Sequence, residues 1–406
     1  MRRYGHNREQ GPASMAKRIA GMTPAVAIGR GYTGLGTLRS LAEAGIPTYC
    51  ACPSDDVATR SRWFRPTPGA RWDGTIGPDA RQILRDMPLD RAVLIPGADD
   101  AALWLADIPG TTLSERYKVS SSSRETLEIL QDKARFGEFL AKIGVPHPRT
   151  FTIRSFDDIA AIPFAELDRV FIKPADSQSF SRVTGEKGVW AKDQSEFMEV
   201  WHKLDEKGFK LVAQEYVPGS SADHYLIDGF RDRDGALPGL FARRRERLYP
   251  PDFGNSTYSR SIPLSEVGSA LESLVTLLEK LQYRGIFSAE FKRDARNGEF
   301  RLLEINTRAW WYVEFAMRCG VNVCKMAYED ALELPVMPAS RNYPIGASCC
   351  NLVSDIKSVL AQDPAARSPF LKTLGQWTRS YYHVFRMDDP GPGLLATWRL
   401  LRRRFA

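Results

Sequence analysis

The chain has 406 residues, 43% of them apolar and 26% charged, which is the composition of a folded protein long enough for two or three domains with full cores. No apolar run approaches the roughly 20 residues needed to cross a bilayer, and the opening residues lack the apolar core of a secretory signal, so the cytoplasm is the expected compartment. The net charge of +7 sits largely at the two ends, in MRRYGHNREQGPASMAKR and RLLRRRF, without the interleaved aromatic and basic platform that would point to nucleic acid.

Residues 1–22 read as a flexible basic tail. From Pro24, AVAIG is a short buried strand, RGYTGLG a glycine-rich turn, TLRSLAEAG an amphipathic helix and IPTYCAC a second strand, so the chain opens βαβ. The pattern Gly29-x-Gly31-x-x-Gly34 invites a dinucleotide interpretation, with Asp55 or Asp56 holding a ribose and an NAD-dependent oxidoreductase as the consequence. The plainer interpretation is close strand-to-helix packing. RAVLIPGADDAALWLA adds a strand, a turn and a helix whose first turn holds Asp99 and Asp100, favourable against the helix dipole. Residues 23–118 are therefore expected to form a doubly wound, Rossmann-like α/β domain. Six cysteines, Cys50, Cys52, Cys319, Cys324, Cys349 and Cys350, form no CxxC pair and have no histidine at zinc-ligand spacing, so buried reduced thiols are expected.

Ser120 to Ser123 precede a helix beginning near Arg124, and QDKARFGEFLAKIGVP is a helix that carries Lys133 at its start and stops at Gly144 and Pro146. Lys173 ends the apolar strand VFIK, where a cation wants an anionic partner, either a phosphate or a structural carboxylate. KLVAQEYVPG is a strand ending in Glu215-Tyr216-Val217. In LFARRRERLYP, strand alternation sends Arg243 and Arg245 to one side and Arg244 to the other. One of them is a candidate clamp for a substrate carboxylate, against the plain alternative of a solvated face.

GIFSAEFKRDARNGEFRLLEINTRAWWY, residues 285–312, reads as a hairpin about Arg296-Asn297-Gly298. Ser288, Glu290 and Lys292 share one face of the first strand, and Glu304 and Asn306 share one face of the second. A two-residue turn would set Glu290 opposite Ile305. A three-residue loop with Gly298 left-handed would pair Ala295 with Glu299 and set Glu290 opposite Glu304. Only the second register makes a site, because paired carboxylates and an amide oxygen are the hard donors that suit magnesium bound with a nucleotide's phosphates. Taken alone, the hairpin leaves the register undecided, with a solvated face as the plain alternative; a nucleotide site here requires the three-residue loop. Residues 336–406 form a C-terminal extension that closes with a basic amphipathic helix around Leu394, Leu395, Trp398 and Leu401. Weak contact with an anionic membrane surface is one role for it, and docking on the protein body is preferred.

Five motifs stand in order: Asp132-Lys133, Phe171-Ile172-Lys173-Pro174, Gln214 through Gly219, Ala289-Glu290-Phe291-Lys292, and Leu303 through Arg308. Together they resemble the ATP-grasp superfamily, and more narrowly its predicted carboligases related to biotin carboxylase. The resemblance implies a pre-ATP-grasp domain at 23–118, an ATP-grasp domain of two α+β subdomains at 119–335, and a lid at about 145–215. It implies ATP and Mg2+ as cofactors, with Lys133 and Lys173 on the phosphates and the backbone of Glu215, Tyr216 and Val217 on the adenine. Asp223 would bind the ribose, and Glu290, Glu304 and Asn306 the metal. Arg308, Lys292 and Arg243 are the implied catalytic set. The implied reaction activates a carboxylate as an acyl-phosphate and joins it to an amine, releasing ADP and phosphate. A bicarbonate-using carboxylase and a catalytically silent nucleotide-binding module stay open beside it. The partners are small-molecule carboxylates and amines, and a homodimer is an open assembly. The loop from Asp176 to Gly188 departs from the glycine-rich lid of the family, keeping only Gly185 and Gly188.

Overall fold

Ala25–Ile28 is apolar and buried on both faces, the pattern of a central parallel strand, and it forms β1 of a four-stranded parallel sheet. The computed structural model describes residues 21–174, 188–205, 211–250, 254–363 and 368–405. The basic tail up to residue 20 and the polar loop from Asp176 to Lys187 lie outside them. The sheet order is β2 (Thr48–Ala51), β1, β3 (Ala92–Pro96), β4 (Tyr117–Lys118), with helix α1 (Gly31–Glu43) between the first two strands and α2 (Asp99–Leu105) after β3. The glycines serve contact between main chains: a Cβ on Gly34 would stand 2.5 Å from the Gly29 oxygen, and one on Gly29 would stand 3.1 Å from the Gly97 Cα.

Helix α3 (Lys133–Ile143) begins where Asp132 accepts the N–H groups of Ala134 and Arg135 and ends at Gly144, whose φ of 70° is left-handed. A second sheet follows, antiparallel, in the order β5 (Thr150–Ile153), β8 (Leu211–Glu215), β6 (Val170–Pro174), β7 (Val189–Ala191). Ile153, Val170, Ile172, Phe197, Leu211 and Ala213 give it a core of its own.

The third sheet has seven strands in the order β13 (Phe300–Asn306), β12 (Gly285–Arg293), β9 (His224–Arg231), β10 (Gly239–Tyr249), β11 (Asn255–Ile262), β14 (Ser348–Cys350), β15 (Tyr381–Tyr382). One face packs Phe287, Ala289, Phe291, Leu302 and Ile305 against Leu274, Leu277 and Leu278 of helix α4 (Gly268–Lys280). Burying each of these large side chains contributes about 1.5–3 kcal/mol. The opposite face is polar around Asp228, Arg243, Ser288 and Glu290, and apolar further along, where Phe230, Phe241 and Ile286 join a core with Phe315.

The hairpin turns differently from the sequence expectation. Asp294 N–H donates to the Glu299 oxygen and Gly298 N–H to the Asp294 oxygen, so the loop is the four residues 295–298, and Ala295 does not pair with Glu299. Gly298 is left-handed at φ 76°. Arg293 pairs with Phe300 and Phe291 with Leu302, then the register shifts, and Glu290 stands opposite Glu304 and Ser288 opposite Asn306. A β-bulge at Leu303 supplies the extra residue that the longer loop removed. The bulge lets Leu302 and Ile305, three apart, both enter the core while Glu304 stays on the polar face.

The C-terminal extension is woven into the body. Helix α5 (Val313–Arg318) supplies Glu314, and the segment after β15 supplies Arg386 and Asp389. Arg39 of α1, with no exposed surface, donates from Nε to Asp389 Oδ2 at 2.9 Å and from Nη1 to Glu314 Oε2 at 3.0 Å. Asp389 also accepts Ser61 Oγ–H and the Arg62 N–H, each at 2.8 Å. Arg386 donates to the other Glu314 oxygen at 3.1 Å. Burial raises the Glu314 carboxyl, opposed by Arg39 and Arg386. All six cysteines are buried and free, as expected. Helix α6 (Gly391–Phe405) closes the chain against the N-terminal domain, where Leu395 and Ala396 pack on the cluster of Ala27, Leu35 and Cys50. Among the described residues no helix is long and apolar enough to cross a membrane.

Candidate functional site

Strand pairing assembles the polar face row by row. Asp228, Ser288 and Asn306 form one row, Leu226, Glu290 and Glu304 the next, and His224, Lys292 and Arg301 the third. Arg243 and Arg245 on β10 complete it, and Arg244 turns away to donate to the Ala222 oxygen, the sidedness that alternation requires.

Glu290 is the hub. Its Oε2 accepts Arg245 Nη2 at 3.0 Å, and its Oε1 lies 2.8 Å from His224 Nδ1, which places the imidazole proton on Nδ1, directed at the carboxylate. Burial works against the charge on Glu290, but Arg245, His224 and Arg243 outweigh it and hold the carboxyl well below the usual carboxylate range. His224 moves down instead, through burial, with Arg245 adding to it against the pull of Glu290, so the ring is neutral near pH 7. Glu304, directly across, is exposed and Asn306 half-buried.

The second sheet and the helix before it carry further candidates. Lys173 is half-buried and donates from Nζ to Gln214 Oε1 at 2.8 Å. Lys133 is the first residue of α3, in its positive first turn. The Glu215 side chain is used structurally, since its carboxylate accepts the Arg149 N–H at 3.1 Å and Arg296 Nη2 at 2.8 Å, tying β8 to the hairpin loop. Burial raises that carboxyl, and Arg296 with the Arg149 N–H more than offsets it. Tyr216 N–H donates to the Arg169 oxygen, and its ring lies 4.8 Å from Lys292 Nζ. Val217 is buried, and its N–H donates to no main-chain group among the described residues. Asp223 closes a capping box, accepting Ser220 N–H at 2.7 Å and Ser220 Oγ–H at 2.8 Å, so the acid proposed for a ribose also serves a turn.

Arg308 makes a two-point ion pair with Asp99 in the first turn of α2, at 3.1 and 3.2 Å, and so stands where the carboxyl end of β3 meets the large sheet. Arg243 is buried, paired through Nε with Asp228 at 2.7 Å and stacked 4.6 Å from the Tyr312 ring. Its Nη1 is buried with no hydrogen-bond partner among the described residues. Trp310 and Tyr312 are core residues, while Trp311 is 40% exposed and meets Tyr32 edge to face; Tyr32 lies in the first turn of α1, since the helix starts at Gly31 inside the stretch expected to be a turn. His383 of the extension packs on Tyr312 with centroids 4.0 Å apart, and burial with Arg243 nearby pushes its imidazole down to about 3. The glycine-rich turn itself is filled: Gly31 N–H donates to Asp56 Oδ2 at 2.6 Å. A carboxylate therefore holds an amide that a dinucleotide's phosphates would need, which argues against NAD.

Glu290, Glu304 and Asn306 are three hard oxygen donors on one face and fit a magnesium ion. Among the described residues no three histidine, cysteine or acidic side chains converge as a metal cage. Two carboxylates and one amide oxygen leave room in an octahedral shell for phosphate and water ligands, which magnesium commonly keeps. Sequence reasoning missed His224, Asp228, Asp389 and Arg39. None of them carried a signal in spacing, since the strand from His224 is brought beside Glu290 only by the fold.

No family profile matches the chain. It is 24% identical over 229 residues to the D-aspartate ligase of Enterococcus faecium, which covers 54% of this chain and 53% of that protein, so the chain spans about half the length of this relative. The biotin carboxylase domain of the Hydrogenobacter thermophilus 2-oxoglutarate carboxylase, solved as a dimer with MgADP, ADP and bicarbonate, aligns with a TM-score of 0.61 at 14% identity over 80% of this chain and 73% of that one. N5-carboxyaminoimidazole synthetase of Staphylococcus aureus with ADP aligns at 0.59 and 14% identity over 81% of each chain.

Proposed function

We propose that this chain, whose fold and relatives are those of ATP-grasp ligases, is an ADP-forming carboxylate–amine ligase. The observation that carries the proposal is the polar sheet face on which Glu290 stands opposite Glu304, beside Asn306, with Lys173 of the lid sheet as the phosphate-side cation. In this scheme residues 23–118 are the doubly wound pre-ATP-grasp domain and 119–335 the ATP-grasp domain, with its lid at about 145–215. The Val217 N–H and the Glu215 carbonyl meet the adenine edge, leaving the Glu215 side chain to fix the hinge. Lys133 and Lys173 neutralise the phosphates, and Asp223 stands near the ribose.

A bound magnesium ion would draw charge from the transferring phosphoryl group, the larger part of what phosphoryl transfer requires. The protein's own part is positioning and charge. Arg245 and His224 hold Glu290 ionised and fixed on the strand that pairs with Glu304. A substrate carboxylate oxygen attacks the γ-phosphorus, the bond to the β-phosphate oxygen breaks, and ADP leaves. An amine nitrogen then attacks the acyl carbon, loses one proton, and inorganic phosphate departs with its oxygen. Arg308, anchored by Asp99, is the cation this scheme assigns to the charge developing on the acyl oxygen, with Lys292 and Arg243 as further cations of the face.

The test uses the full chain. Mg-ATP should raise its thermal midpoint where NAD does not. Hydroxylamine added with a panel of amino-acid carboxylates should yield a hydroxamate and one ADP for each. ADP release that requires bicarbonate, with no hydroxamate, would replace the amine ligase by the carboxylase. ATP protection without turnover on any substrate would leave a nucleotide-binding module.

A further inference from the structure

Helix α6 divides its apolar residues between two faces. Leu395 and Ala396 pack inward, as a docked helix requires. Leu394, Trp398 and Leu401, spaced i, i+4 and i+7, form a second stripe that is 64%, 49% and 51% exposed. Phe385, 42% exposed, borders the start of this stripe, because a Cβ on Gly393 would stand 2.8 Å from its ring. A single exposed leucine means little, but a stripe of leucine and tryptophan along a docked helix is a contact surface without its partner.

Charge selects the partner. GPGLLATWRLLRRRF carries four arginines, Arg399, Arg402, Arg403 and Arg404, and no acid. Arg399 is turned to Asp55, and the Arg402 guanidinium lies 4.0 Å from the Trp398 ring, so cation and indole share one edge of the stripe. A second copy meeting this face about a twofold axis would bring two arginine-rich helices without an acid against each other. An apolar stripe edged by arginine and tryptophan, without acids, matches the boundary between acyl chains and anionic headgroups. The 15 residues of the helix measure about 22 Å, short of the roughly 30 Å hydrocarbon layer, so the helix would lie along the surface.

We propose that α6 is a peripheral docking face for anionic lipid, holding the domain body against a membrane surface with Leu394, Trp398 and Leu401 entering the interface. The proposal is independent of the ligase chemistry. The experiment is flotation of the full chain with vesicles of phosphatidylcholine alone and with about 30% phosphatidylglycerol. The expected result is at least about tenfold stronger partitioning onto the anionic vesicles, weakened as salt is raised. The triple variant Leu394→Ser, Trp398→Ser, Leu401→Ser and the reversal Arg402→Glu, Arg403→Glu, Arg404→Glu should each lose about tenfold or more while keeping the wild-type thermal midpoint and ATP protection. Absence of binding to anionic vesicles, or unchanged binding by the serine variant, overturns it. Light scattering that shows a dimer lost in the serine variant, without flotation of the wild type, assigns the stripe to a second copy and also overturns it.

Discussion

Removing the Asp389 carboxylate should loosen the C-terminal strap from the rest of the molecule. In Asp389→Ala, the buried Arg39 guanidinium loses its Nε partner, and the Ser61 hydroxyl and Arg62 N–H lose their acceptors. Breaking a buried ion pair by deleting one partner costs about 3–5 kcal/mol. The lower end applies, because Arg39 keeps Glu314 at 3.0 Å and the Val384 oxygen at 2.9 Å. A chain of several domains need not unfold in one step, so the suitable measurement is native-state hydrogen exchange over residues 381–391. A loss of about 3 kcal/mol there speeds exchange by about 150-fold. Asp389→Asn, which keeps the shape and one acceptor oxygen, should fall between wild type and alanine. If the alanine variant exchanges within about a factor of two of wild type, the network does not hold the strap, and the buried charges are balanced by some other means.

Three further outcomes follow from the geometry. Glu304→Gln should lower magnesium-dependent turnover by about 100-fold or more, with stability changed by less than about 0.5 kcal/mol because the side chain is exposed, as steady-state kinetics and thermal unfolding would show. His383, its pKa depressed to about 3, binds its proton more weakly in the folded chain than in the unfolded one. It therefore contributes stability above the unfolded value near 6.5 that is lost as pH falls toward 3, at a slope of about 1.4 kcal/mol per pH unit. His383→Phe, which keeps the ring against Tyr312, should remove that slope from a series of unfolding curves between pH 6.5 and 4. Gly34→Ala would bring a Cβ to 2.5 Å from the Gly29 oxygen and should cost about 1–3 kcal/mol, read as a lowered thermal midpoint.

What the sequence determined by itself was the local chemistry. Period-two alternation sorted Glu290 and Lys292, and separately Glu304 and Asn306, onto common faces, and Asp132 and Gly144 delimited the helix that begins at Lys133. The facing of Glu290 with Glu304 followed from requiring a site, yet the route to it was misjudged. The adjacent Leu302 and Leu303, where alternation breaks, were the signal of the bulge, and a bulge and a longer loop cancel in register. Only the tertiary structure decided the groups joined across long separations. Asp228 under Arg243, His224 and Arg245 on Glu290, and Arg39 between Glu314 and Asp389 are each partners that no spacing along the chain relates. Burial creates those pairings, because an ion withdrawn from water needs whichever opposite charge the fold brings to it. The tertiary structure likewise showed that α6 docks by Leu395 and still presents Leu394, Trp398 and Leu401 outward, since helical periodicity identifies an apolar stripe but not which side of it another surface covers.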